Sequence, residues 1–413
     1  MTAPTFPKGA LSHIRVLDLT RVLAGPWCAQ NLADLGADVI KIERPGNGDD
    51  TRSWGPPYLR DAEGKDTSEA AYYLSANRGK RSVTLDIASA EGQEIVRKLV
   101  RQSDVVLENY KVGQLKKYGL DYASLKHEKP DLVYCSITGF GQDGPYAQRA
   151  GYDFIVQGIG GFMSITGERD DLPGGGPQKA GVAISDLMTG MYATIAVMAA
   201  LTHRDRSGEG QYIDMALLDV QVAMLANVGS NYLTSGQAPV RWGNAHPNIV
   251  PYQTFATSDG HIIVAVGNDG QYVKFVEAGG RPDLGADPRF ATNPARVRHR
   301  DILVPLLAEM VRHKTRQEWI ALLEAAGVPC GPINKLDDVF DNPQVEARGL
   351  RIDLPHPSAG SVKLVRSPMN LSATPPRCDL PPPLLGQHTD EVLRELLGLS
   401  GAELAALRKA QTI

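Results

Sequence analysis

The stretch Arg15–Glu43 reads RVLDLTRVLAGPWCAQNLADLGADVIKIE and predicts a strand, a helix and a second strand in close succession. Arg15–Leu19 and Asp38–Glu43 are short apolar runs with polar residues at their ends, as in buried strands. Ala24–Leu35 lies between them and has the composition of a helix, which Gly36 ends. The order strand, helix, strand is typical of a parallel sheet with helices as its crossovers.

The same alternation continues along the chain. Further strands are predicted at Ser82–Ile87, Asp104–Glu108, Leu132–Ile137 and Gln211–Ala216. An amphipathic helix runs from Ser89, a plausible cap residue, to about Arg101. We therefore expect an α/β fold whose large domain holds a doubly wound, mainly parallel, Rossmann-like sheet.

The segments that follow the predicted strands share a composition suited to an anionic ligand. Residues 20–25, 44–46, 109–111 and 138–141 supply glycines, amides, an aromatic ring and cations, and ligands of such sheets bind beyond the carboxyl ends of the strands. The candidate phosphate partners are Arg44, Lys80, Arg81, Lys111, Lys116 and Lys117. For each of them a solvated surface charge is the alternative. A dinucleotide site with Glu43 as the ribose acid would need G-x-G-x-x-G after the first strand, and that motif is missing.

A single carboxylate stands out in Lys179–Gly190, which reads KAGVAISDLMTG. Asp186 lies between an extended apolar run and the predicted helix Leu187–Thr202, whose apolar composition predicts burial. Asp186 is either the N-cap of this helix or a reactive group, and the field of the helix start would favour its ionised form. Upstream, Asp153 and Gln157 are spaced to share one face of a helix.

The composition changes near Ser235, which predicts a domain boundary. Tyr252–Thr257 and His261–Val266 are predicted to form a hairpin, with helices after it. The expected division is a large α/β domain over 1–234, a small α+β domain over 235–328 and a return segment over 329–413. This last segment completes the large domain and includes a proline-rich arm.

Composition limits the class of protein. The formal net charge of -4 gives no sign of a nucleic-acid partner, and the four cysteines lack metal-binding spacing. The N-terminal residues show no export signal, and we find no apolar run of about 18 residues that would span a membrane. We therefore expect a cytoplasmic protein with reduced thiols.

Several collinear motifs resemble the family III CoA-transferases, also called the CaiB/BaiF or formyl-CoA transferase family. Besides the first stretch these are NRGKRSVTLDI, YCSITGFGQDGP, AGYD, SDLMTG, GVPCGPIN and PPLLGQHTDEVL. The segments DDTRSWGPP, RWGNAH and PPPLLGQHT resemble the branch that acts on succinate and hydroxymethylglutarate or glutarate. The resemblance implies a homodimer of two interlocked subunits, acyl-CoA and a small carboxylic acid as substrates, and no permanently bound cofactor or metal.

The resemblance also implies roles for individual residues. The nucleophile would be Asp186, and Asp153 matches an acidic active-site position. The positions that match CoA contacts are Leu23, Ala24, Arg44, Leu85, Ala88, Asn109, Tyr110, Lys111, Lys117, Gly151 and Tyr152. Gly243, Asn244 and His246 fall where formyl-CoA enzymes carry a glycine-rich loop, although His246 would equally suit ordinary packing.

The implied reaction moves CoA from an acyl-CoA, expected to be succinyl-CoA, to a dicarboxylate such as glutarate through an aspartyl anhydride and an aspartyl-CoA thioester. Arg52 either pairs with the distal carboxylate of that acid or holds its own loop. The alternatives are a 2-methylacyl-CoA racemase and a non-catalytic acyl-CoA binding protein. Racemases of this family carry His where this chain has Tyr152, and a binding protein has no use for a carboxylate at position 186.

Overall fold

The computed structural model describes residues 9–413, and these form two compact units. The first unit contains residues 9–160, 180–224 and 343–413, and the second contains residues 161–179 and 225–342. The expected absence of an export signal rests partly on residues 1–8, which lie outside the described residues.

The strands are β1 (Arg15–Asp18), β2 (Asp38–Glu43), β3 (Tyr58–Arg60), β4 (Asp66–Ala70), β5 (Lys80–Thr84), β6 (Val105–Glu108), β7 (Val133–Thr138), β8 (Tyr212–Ala216), β9 (Tyr252–Ala256), β10 (His261–Ala265), β11 (Cys330–Pro332), β12 (Arg351–His356) and β13 (Gly360–Val365). The first helices are α1 (Ala24–Asp34), α2 (Ala71–Ser75), α3 (Ala90–Arg101), α4 (Tyr122–Glu128), α5 (Asp153–Ile159), α6 (Phe162–Ile165), α7 (Ile184–Ser207), α8 (Leu217–Ala223) and α9 (Ala226–Ser235). The remaining helices are α10 (Asp269–Ala278), α11 (Pro282–Ala286), α12 (Asn293–Arg298), α13 (Arg300–Arg312), α14 (Arg316–Ala326), α15 (Leu336–Phe340), α16 (Pro343–Ala347), α17 (Thr389–Leu397) and α18 (Gly401–Lys409).

A six-stranded sheet organises the first unit, in the order β5-β2-β1-β6-β7-β8 with every neighbouring pair parallel. If the six strands of this sheet are numbered 1 to 6 in chain order, their order in the sheet is 3-2-1-4-5-6, which is that of doubly wound dinucleotide-binding folds. The predicted parallel, Rossmann-like sheet is therefore confirmed. The strand order reverses between β1 and β6, so the binding crevice is expected beyond their carboxyl ends.

Apolar side chains cover both faces of this sheet. On one face Val16, Val39 and Val105 join a core with α1 and α7, and on the other Leu17 and Ile40 join a core with α3, α17 and α18. Neighbouring residues of each strand thus belong to opposite cores, because side chains alternate across a strand. Burial on both faces explains why these strands read as continuous apolar runs.

Helix α7 carries Asp186 and is longer than predicted, since it spans Ile184–Ser207. It packs against α1, where a Cβ on Gly190 would lie 2.6 Å from the carbonyl oxygen of Ala24, so only glycine permits this approach. The predicted burial of this helix is partial, because Val197 and Leu201 are buried while the apolar side chain of Ile195 is 60% exposed. Among the described residues, α7 is the one helix that is long and apolar enough to cross a membrane by length and composition alone, and 44% of its most apolar 18 residues are buried.

The second unit contains a three-stranded antiparallel sheet in the order β11-β10-β9. Strands β9 and β10 form the predicted hairpin. The sequence-based division assigned Cys330–Pro332 to the return segment, whereas these residues pair with β10 and the chain rejoins the first unit at Pro343. Residues 161–179 and 225–234, expected in the large domain, also belong to this unit.

Candidate active site

The loops after β1 and β6 meet at the point where the strand order reverses. The backbone N–H of Arg21 donates to Asn109 Oδ1 at 3.0 Å, and Asn109 Nδ2 donates to the carbonyl oxygen of Arg21 at 2.7 Å. Val22 adopts a φ of 72°, which is strained for a β-branched residue, and its N–H donates to Asp49 Oδ1 at 3.2 Å. The turn after β1 is thus held in an unusual conformation by side chains from two other loops.

A cavity of about 410 Å³ opens beyond these strand ends. Its walls come from residues 21–24, 109–112, 137–139 and 147–152, and Asp186 also lines it. The nucleophile candidate and the strand-end loops therefore face one cavity of the first unit.

A second cavity, of about 420 Å³, lies along the ends of β2 and β5 and shares Arg21, Asp50, Tyr110 and Gln114 with the first. The first cavity is lined by seven predicted CoA contacts: Leu23, Ala24, Asn109, Tyr110, Lys111, Gly151 and Tyr152. The second is lined by Arg44, Leu85 and Ala88, and again by Tyr110. Lys117 lines neither of them. Because the two cavities share a wall, ten of the eleven predicted CoA contacts line one continuous surface.

Asp186 is not the N-cap that the sequence left as an alternative. Helix α7 begins two residues before it, its N-cap position is Ala183, and no side chain of that residue caps the helix. The helix start is bonded instead by Asp153 from α5, whose Oδ1 accepts the N–H of Ser185 at 2.8 Å and the N–H of Asp186 at 3.3 Å. The carboxylate of Asp186 is therefore not used for capping.

The charge state of Asp186 also differs from the expectation. Burial and the negative charge of Asp153 raise the pKa of Asp186 from 3.8 to about 7, whereas the helix start was expected to favour the ionised form. Loss of solvation is the larger cause. Asp153 adds to it, because it takes up the first free N–H groups of α7 and places a like charge nearby. The same two carboxylates act on the phenol of Tyr72. Burial, with a smaller contribution from the negative charges of Asp186 and Asp153, raises the pKa of Tyr72 to about 12.

Two of the predicted phosphate partners have structural roles instead. Lys80 is buried, and its Nζ donates to Asp18 Oδ2 at 3.1 Å and to Asn77 Oδ1 at 2.9 Å. Arg81 pairs with Asp38 at 2.6 Å and also with Glu395 on α17. Because carboxylates already satisfy both cations, neither is available to a ligand.

Arg52 likewise holds its own loop. Its guanidinium binds both oxygens of Glu43 at 2.8 Å and Glu69 at 3.3 Å, and it donates to the hydroxyl of Tyr73 and the carbonyl oxygen of Pro383. Arg52 is buried and lines neither cavity. The structure therefore favours the second alternative for Arg52. The same pairing occupies Glu43, the acid that a dinucleotide site would have needed.

The three remaining candidates lie in the second unit. Gly243 and Asn244 belong to the segment after α9, and Asn244 lines a cavity of about 490 Å³ in that unit. His246 packs its ring on Tyr252, and its Nδ1 accepts the N–H of Asn248 at 3.0 Å. Burial and the nearby Arg300 lower the pKa of His246. These contacts fit the packed histidine that the sequence left as an alternative.

Trp54 and Arg149 are among the residues that line the cavity with Asp186 and that sequence reasoning did not predict. Trp54 is 42% exposed and packs edge-on against Tyr72, with the two ring centroids 5.1 Å apart. Arg149 stacks on Tyr146 at 3.8 Å and forms no ion pair within residues 9–413. Both lie in segments rich in turn residues, where the sequence offers no periodicity that would show which side chain faces a cavity.

Comparisons with known proteins agree with this geometry. Residues 11–389 match the family described as CoA-transferase family III. The chain is 54% identical over 389 residues to the succinate–glutarate CoA-transferase of Agrobacterium fabrum, covering 94% of this chain and 96% of that one. It is 42% identical to the succinyl-CoA:glutarate CoA-transferase of Homo sapiens, covering 98% and 90% of the two chains.

The fold has a solved counterpart. A CaiB/BaiF family protein from Brucella suis superposes with a TM-score of 0.82 at 52% identity, over 94% of this chain and all of that one. The match to the family spans both units and includes the strand-end loops and Asp186. This protein is therefore a CoA-transferase, a member of CoA-transferase family III.

Proposed function

We propose that this CoA-transferase moves CoA from succinyl-CoA to glutarate, or to a closely similar dicarboxylate, with Asp186 as the covalent nucleophile. The observation that carries the mechanism is the position of Asp186, a poorly solvated carboxylate on the wall of the strand-end cavity. The choice of acids rests on the relatives from Agrobacterium fabrum and Homo sapiens, whose names specify succinate or succinyl-CoA and glutarate.

The exchange balances without a metal or a redox cofactor. The Asp186 carboxylate attacks the thioester carbon of succinyl-CoA, the C–S bond breaks, and a succinyl–aspartyl anhydride and CoA thiolate form. The thiolate then attacks the aspartyl carbonyl, which releases succinate and leaves an aspartyl-CoA thioester. Glutarate attacks the aspartyl carbon of this thioester, the C–S bond breaks, and a glutaryl–aspartyl anhydride and CoA thiolate form. The thiolate finally attacks the glutaryl carbonyl, which breaks the anhydride, frees the carboxylate of Asp186 and yields glutaryl-CoA. CoA and both acids are thus substrates.

The surroundings of Asp186 suit this role. A carboxylate with a pKa of about 7 is half ionised near neutrality, and it is a stronger base than an exposed aspartate. Its attack moves negative charge away from Asp153 and onto the thioester oxygen, which relieves the repulsion between the two carboxylates. Among the residues lining the cavity, Lys111 and Arg149 form no ion pair within residues 9–413, and their charges attract the anionic substrates.

We also propose that the enzyme is a cytoplasmic homodimer. The support for a dimer is an exposed apolar surface on α5 and α7 that includes Phe154 (56% exposed), Tyr192 and Ile195. The support for the compartment is that all four cysteines are free thiols and two of them are buried.

The test is to incubate the enzyme with succinyl-CoA and a panel of mono- and dicarboxylic acids, and to identify the acyl-CoA products by mass spectrometry. Glutaryl-CoA should form, and a CoA adduct should map to Asp186 when the acceptor is left out. Asp186→Asn and Asp186→Ala should form neither. If no acid accepts CoA while a chiral 2-methylacyl-CoA epimerises, the proposed reaction is wrong.

A further inference from the structure

Gln157 is a fully buried glutamine on α5, five residues after Tyr152 on the cavity wall, and both ends of its amide are bonded. Its Nε2 donates to Asp153 Oδ2 at 2.6 Å, one turn earlier on α5. Its Oε1 accepts the N–H of Ala180 at 2.9 Å, in the segment that leads into α7. The side chain of Gln157 therefore connects α5 and Asp153, the acidic neighbour of Asp186, to the segment that precedes α7.

These bonds fix the orientation of the amide. If it were flipped, its oxygen would face the oxygen of Asp153 and its NH₂ group would face the N–H of Ala180, so both contacts would become repulsive. A glutamate at this position would put a second negative charge against Asp153, and a lysine would neutralise Asp153. Glutamine holds the carboxylate without changing its charge.

The carboxylate of Asp153 is consequently held at both oxygens. Oδ2 is bound by Gln157, and Oδ1 is bound by the N–H groups of Ser185 and Asp186. With both oxygens held, the negative charge stays next to Asp186, and the backbone that carries Asp186 is tied to α5. Without Gln157, Oδ2 would have no donor among the described residues, and the carboxylate could rotate away from α7.

We propose that Gln157 is a positioning residue for the transferase reaction, because it fixes Asp153 against the start of α7 and thereby sets the orientation and the charge environment of Asp186. It acts through Asp153 and is not expected to touch the substrate. The inference rests on the proposed role of Asp186 as nucleophile. The charged or titratable side chains around Asp186 are Asp153 and Tyr72, together with Arg21, Asp50, Tyr110, Lys111, Arg149 and Tyr152 on the cavity wall.

The test compares Gln157→Met with wild-type enzyme in the first half-reaction, in which succinyl-CoA loads CoA onto Asp186, at a series of pH values. Loss of a hydrogen bond to a charged group should slow loading by about tenfold to a hundredfold. The pKa that governs loading should also move to lower pH, because the charge of Asp153 is no longer held beside Asp186. A residue that only supports the fold would leave this pKa where it is.

Gln221→Met is the matched control. Gln221 is also a fully buried glutamine, on α8, but its Oε1 accepts the hydroxyl of Ser185 at 2.7 Å and it makes no bond to Asp153. This variant should lose a comparable amount of thermal stability while the pKa of loading stays at the wild-type value. An equal shift in both variants would overturn the proposal, as would an unchanged pKa in Gln157→Met.

Gln157→Glu decides the question if the methionine variant does not fold. When protonated, the glutamate donates to Asp153 as the amide does, and when ionised it repels Asp153. Loading should therefore rise and then fall with pH, and a rise to a plateau as in the wild type would overturn the proposal. The failure of the nucleophile assignment is distinct, because wild-type enzyme would then carry no CoA adduct on Asp186.

Discussion

Asp186→Asn should abolish transfer and at the same time stabilise the protein at alkaline pH. The substitution removes a carboxylate that folding has made harder to ionise, because burial and Asp153 raise its pKa from 3.8 to about 7. Between these two values the unfolded chain holds its charge while the folded protein retains a proton. The stability of the wild type is therefore greatest below the unfolded pKa and is lost as the pH rises through the folded pKa.

The magnitude follows from the shift. A rise of about three pKa units corresponds to about 4 kcal/mol of unfolding free energy, at about 1.36 kcal/mol per unit. About two of these units lie above pH 5, so the advantage of Asp186→Asn over wild type should grow by roughly 2–3 kcal/mol between pH 5 and pH 8. For a unit of this size about 1 kcal/mol moves the melting temperature by roughly 2 °C, so the advantage should grow by several degrees.

The assay is thermal and urea unfolding of both proteins at pH 5, 6, 7 and 8, with the difference in midpoint plotted against pH. Asp219→Asn is the matched control, because Asp219 is also the third residue of a helix but is exposed. Its difference from wild type should stay nearly constant with pH. If the curve for Asp186→Asn is as flat as that of this control, the pKa of Asp186 is not raised in the folded protein and the electrostatic account of the site is wrong.

Three further outcomes are expected. In Asp153→Asn the pKa of Asp186, about 7 in the wild type, should fall by less than about 1.6 units, because Asp153 is the smaller of the two causes of its rise. The pH dependence of the rate of CoA loading measures this pKa, and an unchanged value would contradict the role given to Asp153. Arg52→Met should lose about 3–5 kcal/mol of unfolding free energy, because the Glu43 carboxylate stays buried without the guanidinium that pairs with it. Urea titration measures this loss, and a variant with normal stability but a raised KM for glutarate would instead identify Arg52 as a substrate contact. Gly190→Ala should lower both the melting temperature and kcat, because the Cβ of the new alanine would collide with the carbonyl oxygen of Ala24. If both values are unchanged, α1 and α7 can move apart without loss of stability or activity.

The strands of the first unit were predictable because each is a local pattern. All six observed strands of the sheet coincide with predicted ones to within a few residues, and Gly36 lies at a φ of 104° immediately after the first crossover helix.

The bounds of α7 were less predictable. Gly181 and Val182 read as part of an extended run up to Asp186, but the helix starts at Ile184 because a carboxylate from α5 bonds its first N–H groups. No residue within that stretch signals such a partner.

The sequence by itself determined the family and the order of the segments that form the parallel strands, and it led to the prediction that Asp186 is the nucleophile. These depend on neighbours along the chain and on motifs that can be read in one dimension. Tertiary structure alone decided which charges are available. Lys80, Arg81 and Arg52 are cations with buried or partly buried acidic partners, whereas Lys111 lines the cavity without one. The pKa of Asp186 was decided in the same way, because burial and the charge of Asp153 act through space between residues far apart in the sequence.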